Sequence, residues 1–366
     1  MRILFKTSYE DDLGLFKHGH HRFWYILLFV VMLALPFLIG DYMVGEFTNV
    51  LIWALAGMGL MILVGQTGQA SLGHAAFLAI GCYANVILQT RLGLPFVISF
   101  PLAGLITGFA GVLLAIPTTR LHGIYLAIAT LAASIIIEDV IVLAEPLTGG
   151  VNGLFAPDIN LFGYSINRYV DPSAFYWLTF SVVVAVVFFY KNLLRSPLGR
   201  SFAAVRDSEI SAQAMGVNVA RTKALSFGIS TAITGLAGAL MGHFAGIFTN
   251  ETFNVIISIT LLLMIVVGGV GTIHGAFLGA IVVAFLPQFL SIARGWISDA
   301  MGITSLVIPG LETAVFGLIL IFFILFEPMG LYGIWLKIRT YFELFPFYRK
   351  DMFRRQKSYL KTERMR

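Results

Sequence analysis

The sequence predicts an all-α polytopic membrane protein of about 10 transmembrane helices, with 8–10 admissible. Three observations carry that expectation. Of 366 residues, 58% are hydrophobic and only 12% charged, about half the charge of an ordinary globular chain. Apolar runs of about 20 residues recur along most of the length, each long enough to cross a hydrocarbon core of about 30 Å. The single cysteine, Cys82, stands inside such a run, leaving no disulfide framework and no thiolate metal cage. A cytoplasmic enzyme, a disordered scaffold and a disulfide-built secreted domain are excluded.

Apolar runs between polar breaks place spans at 23–40, 47–64, 70–89, 95–118, 121–144, 174–193, 223–246, 255–270, 274–293 and 307–326. They divide the chain into a head, 1–22, a membrane domain, 23–330, holding a polar segment at 194–222, and a tail, 331–366. The first run exceeds the 7–15 residues usual for a signal peptide, so it is expected to remain as a span. Lys and Arg orient the scheme, because they accumulate in short cytoplasmic loops. Four lie in 1–22, six in 191–223 and ten in 335–366, together 20 of the 24. The long break 145–173 carries Arg168 beside Glu145, Asp158 and Asp171. Ten spans then give both termini inside and that loop outside. The net charge of +5 is a topology and lipid-headgroup signal, not a nucleic-acid one.

Several chemistries are missing. No phosphate-cradling Gly-x-x-x-x-Gly-Lys-Ser/Thr occurs, so the chain is not expected to bind ATP itself. Gly269-Val-Gly271 begins like a dinucleotide loop, but His274 stands where the third glycine belongs and the segment joins two spans. No His-Glu-x-x-His is present. His18, His20 and His21 read as solvated histidines rather than a metal site, and His74, His122, His243 and His274 as helix-contact residues. Neither a metal nor a cofactor is expected. Ionisable residues within spans are functional candidates, since burying charge in lipid is costly. Glu138 and Asp139 lie about 26 Å from the inner end of the fifth span, and Glu312 about 8 Å from the outer end of the last, at the helical rise of about 1.5 Å. All three read as interfacial carboxylates or as an acidic entry rim.

Two places set glycines and isolated polar groups within the apolar sequence. One runs Gly65-Gln-Thr-Gly-Gln-Ala-Ser-Leu-Gly-His74, the other Gly268-Gly-Val-Gly-Thr-Ile-His-Gly275. Leu60-Met-Ile-x-Val-Gly-x-x-Gly68 returns as Leu263-Met-Ile-x-Val-Gly-x-x-Gly271, and each continues into His-x-Ala-Phe-Leu. A second matching pair is Ile106-Thr-Gly-x-Ala-Gly111 and Ile233-Thr-Gly-x-Ala-Gly238. Broken helices of this kind offer helix ends and carbonyls to a substrate near mid-membrane, while small residues also serve close helix packing. The pathway candidates are Gly68, Gln69, Ser71, Gly73, His74, Gly269, Gly271 and Thr272.

Between the sixth and seventh spans a surface helix is expected over 196–216. Ser196 suits the N-cap, Pro197 the first turn and Gly216 the stop. Leu198, Phe202, Val205, Ala212 and Met215 form one apolar stripe, expected to fill a groove on a partner protein rather than rest on lipid.

Gly68-Gln-Ala-Ser-Leu-Gly-His74, Ser196-Pro-Leu-Gly-Arg-Ser-Phe-Ala-Ala-Val-Arg206 with Ala-Met-Gly216, and Gly268 to Gly275 resemble the permeases of branched-chain amino acid ABC importers. The resemblance covers roughly 45–330. It implies a multi-pass subunit of the bacterial inner membrane paired with a second, homologous permease. Two cytoplasmic ATPases, which bind the ATP, and an external substrate-binding protein complete such an importer. It also implies that 196–216 is the segment docking on an ATPase, with Arg200, Phe202, Arg206, Glu209 and Gly216 as coupling residues. One departure stands out. Counting back from Gly216, the Glu-Ala-Ala-x-x-x-Gly pattern of ABC importers puts Ile210 where glutamate belongs, with Glu209 one place away. A urea or short-amide permease, a stand-alone carrier or channel, and a membrane enzyme are the alternatives. The last lacks a polar catalytic cluster, and the carrier a carboxylate at mid-membrane.

Overall fold

In a computed structural model of the chain, the described residues are 19–344, excepting Arg120, His122, Phe162, residues 302–309 and Pro328. The head up to His18, the basic tail beyond residue 344 and the side chains of His20, His21 and Glu312 lie outside them.

Each of the ten expected spans coincides with a helix. They are α1 (Gly19–Leu38), α2 (Asp41–Met61, continued by a π turn at Ile62–Gln66), α3 (His74–Leu92), α4 (Phe96–Thr118) and α5 (Ile124–Leu143). After the polar loop come α6 (Pro172–Arg195), the surface helices α7 (Pro197–Asp207) and α8 (Glu209–Ala214), then α9 (Val219–Ala245), α10 (Val255–Gly268), α11 (Ile273–Met301) and α12 (Leu311–Phe326). A final helix, α13 (Gly330–Leu344), was not expected. Among the described residues, eight helices are long and apolar enough to span a membrane. The apolar part of α1, Arg22–Leu38, is shorter, and α12 has 16 residues.

Successive helices alternate in direction, so the bundle has two ends. The basic end carries Lys191, Arg195, Arg200, Arg206, Arg221 and Lys223. The other, the loop end, is closed by residues 145–171. There β1 (Leu154–Phe155) pairs antiparallel with β4 (Ile247–Phe248), and β2 (Ile159–Leu161) with β3 (Tyr164–Ile166). These ribbons are tied down by His243. Its Nδ1–H donates to the Pro157 carbonyl at 3.1 Å, while Nε2 accepts from Asn85 at 2.9 Å and Gln89 at 3.1 Å. That pattern fixes a neutral tautomer and satisfies the ring completely. Arg168 donates to the Phe244 carbonyl and lies 3.5 Å over its ring.

The core runs through α9, which packs on α4, α3 and α2. Small residues permit that approach. A Cβ on Gly235 would collide with Thr107 of α4, and one on Gly111 with Thr231 of α9. The second pair of matching segments therefore meets at Thr107 and Gly235, and Gly111 of the first meets Thr231, two residues before the second, as the helices cross in opposite directions. Leu55, Met58, Leu60 and Ile62 of α2 and Phe175, Tyr176 and Tyr190 of α6 fill the remainder. The outer flanks of α1, α4 and α5 expose Phe23, Leu28, Leu105, Phe109, Ile128 and Ile136, the composition a lipid-facing surface requires.

The surface segment departs from expectation in two ways. It is two helices rather than one, because Ser208 takes an extended conformation (φ −165°, ψ 115°) and caps α8 by accepting from Ser211 N–H. Its apolar stripe also does not present itself whole to a partner. Phe202, Val205 and Ala212 are buried against their own chain, while Met215 and the unstriped Ile210 are bare, at 85% and 83% exposure.

Candidate functional site at the glycine breaks and the basic end

The first break begins where α2 widens into its π turn. Ending a helix strands carbonyls, and two of them have found partners outside the helical pattern. Leu63 O accepts from Thr67 Oγ1 at 2.7 Å and from Gln69 N–H at 3.0 Å. Gly65 O accepts from Arg206 Nη1 of α7 at 3.2 Å. Gly68 turns the chain with φ +70° and lies exposed beside the Arg206 stem. The break therefore sits at the basic end. The 19 residues of α3 leave it and run about 28 Å to the loop end at the helical rise, a nearly complete crossing.

From Gln69 to His74 every polar side chain is enclosed and paired. Gln69 Nε2 donates to Thr67 Oγ1 at 3.0 Å and to Ser226 Oγ at 2.8 Å. Ser230 Oγ donates to Gly59 O at 2.6 Å, so it accepts from His74 Nε2–H at 3.0 Å. His74 Nδ1 then accepts from Ser71 Oγ at 2.9 Å. One assignment of protons satisfies the whole chain of contacts. Gly73 lies against the Thr130 carbonyl, where no side chain fits. The first amides of α3 are also occupied, since Ala75 N–H donates to Ser258 Oγ at 2.8 Å.

The two breaks meet. Gln66 Nε2 donates to the Gly271 carbonyl at 3.0 Å and to Tyr190 Oη at 3.3 Å. Gly271 N–H points at Met61 Sδ, 2.9 Å away. A Cβ on Gly65 would stand 2.7 Å from Gly271 N, so glycine is what allows the backbones to touch. On the far side Gly269, at φ +120°, backs onto Met329 O and Tyr332 of α13. Thr272 Oγ1 donates to Gly269 O and accepts from Gly275 N–H, capping α11. His274 is stacked on Tyr332 and bonded to Tyr25 Oη at 2.8 Å.

The expected coupling residues divide. Arg206 joins the first break, through Gly65, and pairs with Asp207 at 3.1 Å. Glu209 turns inward to Lys223 Nζ, 2.7 Å away. Phe202 is core. Arg200 is exposed and donates to Arg195 O at 3.2 Å, and Gly216 ends the segment at φ +86° with open space around it. Sequence reasoning missed Gln66, Tyr190, Lys223, Ser226 and Ser230. A signal for three of them existed: Lys223, Ser226, Ser230 and Thr234 recur at three and four residues, a polar stripe inside an apolar span. Glu138 lies half-buried and Asp139 exposed on α5 near the loop end. Among the described residues no group of three or more His, Cys, Asp or Glu could hold a metal.

An apolar helical bundle with two broken helices abutting beneath a surface segment defines a membrane transport protein. Residues 42–324 match the family described as branched-chain amino acid transport system / permease component, and the chain belongs to that family. It is a multi-pass permease subunit of the inner membrane, not an enzyme; in such transporters ATP is hydrolysed on a separate subunit. It is 33% identical to the high-affinity branched-chain amino acid transport system permease protein LivM of Salmonella typhimurium over 74% of this chain and 68% of that one. It is 26% identical to the probable branched-chain amino acid transport permease protein LivM of Methanocaldococcus jannaschii over 84% and 91%. The probable permease LivH of the same organism is 26% identical over 82% and 96%. No solved structure matches the chain.

Proposed function

We propose that this chain is one of two transmembrane subunits of an ATP-driven importer of branched-chain amino acids. The basic end faces the cytoplasm, as its cluster of Lys and Arg requires. A second, homologous permease lies beside it, and the similarity to both LivM and LivH supports such a pair. Two ATPase subunits dock from the cytoplasm and hold the ATP, so this chain needs no cofactor. A binding protein delivers substrate at the loop end. One observation carries the reading: a surface segment at the basic end presents bare Ile210 and Met215 outward while Arg206, on the same segment, holds the first break at Gly65. A lone carrier or channel has no use for that arrangement.

Gly68, Gln69, Ser71, Gly73 and His74, with Gly269, Gly271 and Thr272, form the gate of the route. In this conformation the gate is shut, because Gln69 and His74 spend hydrogen bonds on Ser226 and Ser230 of α9 and Ser71 spends its own on His74. Opening exchanges those partners for water and an amino acid, through neutral groups that hold the ligand weakly. Arg206 ties the coupling segment to the gate.

Uptake into vesicles holding both permeases, both ATPases and the binding protein tests this. Labelled leucine, isoleucine and valine should enter only with ATP. Entry of urea or acetamide in preference to leucine would favour the amide reading, and ATP-independent entry would refute an importer.

A further inference from the structure

Glu209 opens α8, and Lys223 stands in the first turns of α9. The Lys223 side chain is 3% exposed and Glu209 33%, with Nζ and Oε1 2.7 Å apart. The same ammonium reaches the Thr119 carbonyl, just past α4, at 3.5 Å. Taking away the partner of an ammonium this enclosed leaves an uncompensated buried charge, which is strongly destabilising. α8 itself is two-sided. Ala212 and the Glu209 carboxylate face the chain, and Ile210 faces away with Met215 just beyond the last turn.

Above Lys223 a polar stripe climbs α9. Ser226 Oγ donates to the Lys223 carbonyl at 2.8 Å and accepts from Gln69 of the first break. Ser230, one turn on, holds His74 and the Gly59 carbonyl. The surface segment has two other links into the core, both from α7: the bond from Arg206, itself 42% exposed, to the Gly65 carbonyl, and the apolar packing of Phe202 and Val205, which is non-directional and lets helices slide. An enclosed ion pair is directional and does not slide.

We infer that Glu209 and Lys223 are a positioning pair, which carries a displacement of α8 into α9 and, through Ser226 and Gln69, to the break from Gly68 to His74. Glu209 is thus committed within its own chain, and Ile210 takes the outward place. The inference deepens the proposed function and rests on α8 facing an ATPase.

Two measurements test it. The first uses the purified chain in lipid nanodiscs and needs no ATPase. Amide hydrogen exchange in Glu209→Gln should quicken at least fivefold both at 208–216 and at 68–74, with mid-α4 unchanged. Quickening confined to 208–216 would overturn the link. The second uses the assembled importer. Glu209→Gln should keep the ATPases on co-purification yet move at least fivefold less substrate per ATP hydrolysed. The double exchange Glu209→Lys with Lys223→Glu should regain at least half of that ratio. An unchanged ratio, with transport and hydrolysis falling together, means a static staple and overturns the inference; so does loss of the ATPases from Glu209→Gln, which makes Glu209 a docking contact. If the wild type shows no ATP-driven uptake, the proposed function fails, and the exchange experiment alone decides the link.

Discussion

Gln69 is almost fully enclosed, yet it carries an amide into an apolar bundle, so its two donors must be answered. Thr67 and Ser226 answer them. Removing either end of the Gln69–Ser226 bond strands the other, which costs about 1–3 kcal/mol. Gln69→Ala and Ser226→Ala should each lower thermal stability in detergent. The double variant should be less damaging than their sum, with a coupling of about 1 kcal/mol in a double-mutant cycle; strict additivity would show that the bond contributes nothing. Ser71→Ala frees His74 Nδ1 in the same way. If the gate is as proposed, these variants also change uptake or the ATP used per substrate at normal expression, whereas a purely packing role alters yield alone. The sequence showed that Gln69 and Ser71 were unusual where they stand. It did not show their partners, because Ser226 and Ser230 lie more than 150 residues away and a lone serine in a span is an ordinary residue.

At the scale of elements, the α4–α9 crossing depends on backbone approach. Gly235→Ala places a methyl group against the Thr107 side chain, and overpacking of this kind costs about 1–3 kcal/mol. A lowered melting temperature is expected, with partial rescue by Thr107→Ser; an unchanged one would mean the helices are free to part. The surface segment makes a sharper forecast. Ile210→Asp or Met215→Asp should weaken ATPase co-purification at least tenfold, about 1.4 kcal/mol, while folded yield is kept. Phe202→Ala should instead cost about 3–5 kcal/mol of folding stability, because its ring is enclosed. Loss of ATPase from Phe202→Ala at full yield would reverse the two roles. Ser196 and Pro197 announced the start of α7 correctly, since cap chemistry is local. The stop at Ser208 was equally local and went unread: a serine followed by Glu209 is a second helix start. Which side of the stripe faced inward was not local at all, and depended on α6 and α2 lying above it.

For the whole molecule, the spans were legible because lipid leaves an uncompensated backbone no alternative to helix. The ends were legible because charge is asymmetric. The meeting of the two breaks was not, since Gln66 and Gly271 are joined by 205 positions of chain that only the fold brings together. On the proposed reading the bundle is a lever: a surface pair of helices at one end, a central helix with a polar face, and a shut gate beside it. The central claim is that an ATPase docks at the basic end, in the cytoplasm, on the outward face of α8. Crosslinking tests it most directly, because Cys82 is the only native thiol and is buried. In a Cys82→Ala background, Ile210→Cys should crosslink to the ATPase subunit and react with an impermeant thiol reagent only after permeabilisation, while Asp158→Cys reacts from outside and captures no ATPase. Labelling of Ile210→Cys from outside, or capture of the ATPase by Asp158→Cys and not by Ile210→Cys, would contradict the account.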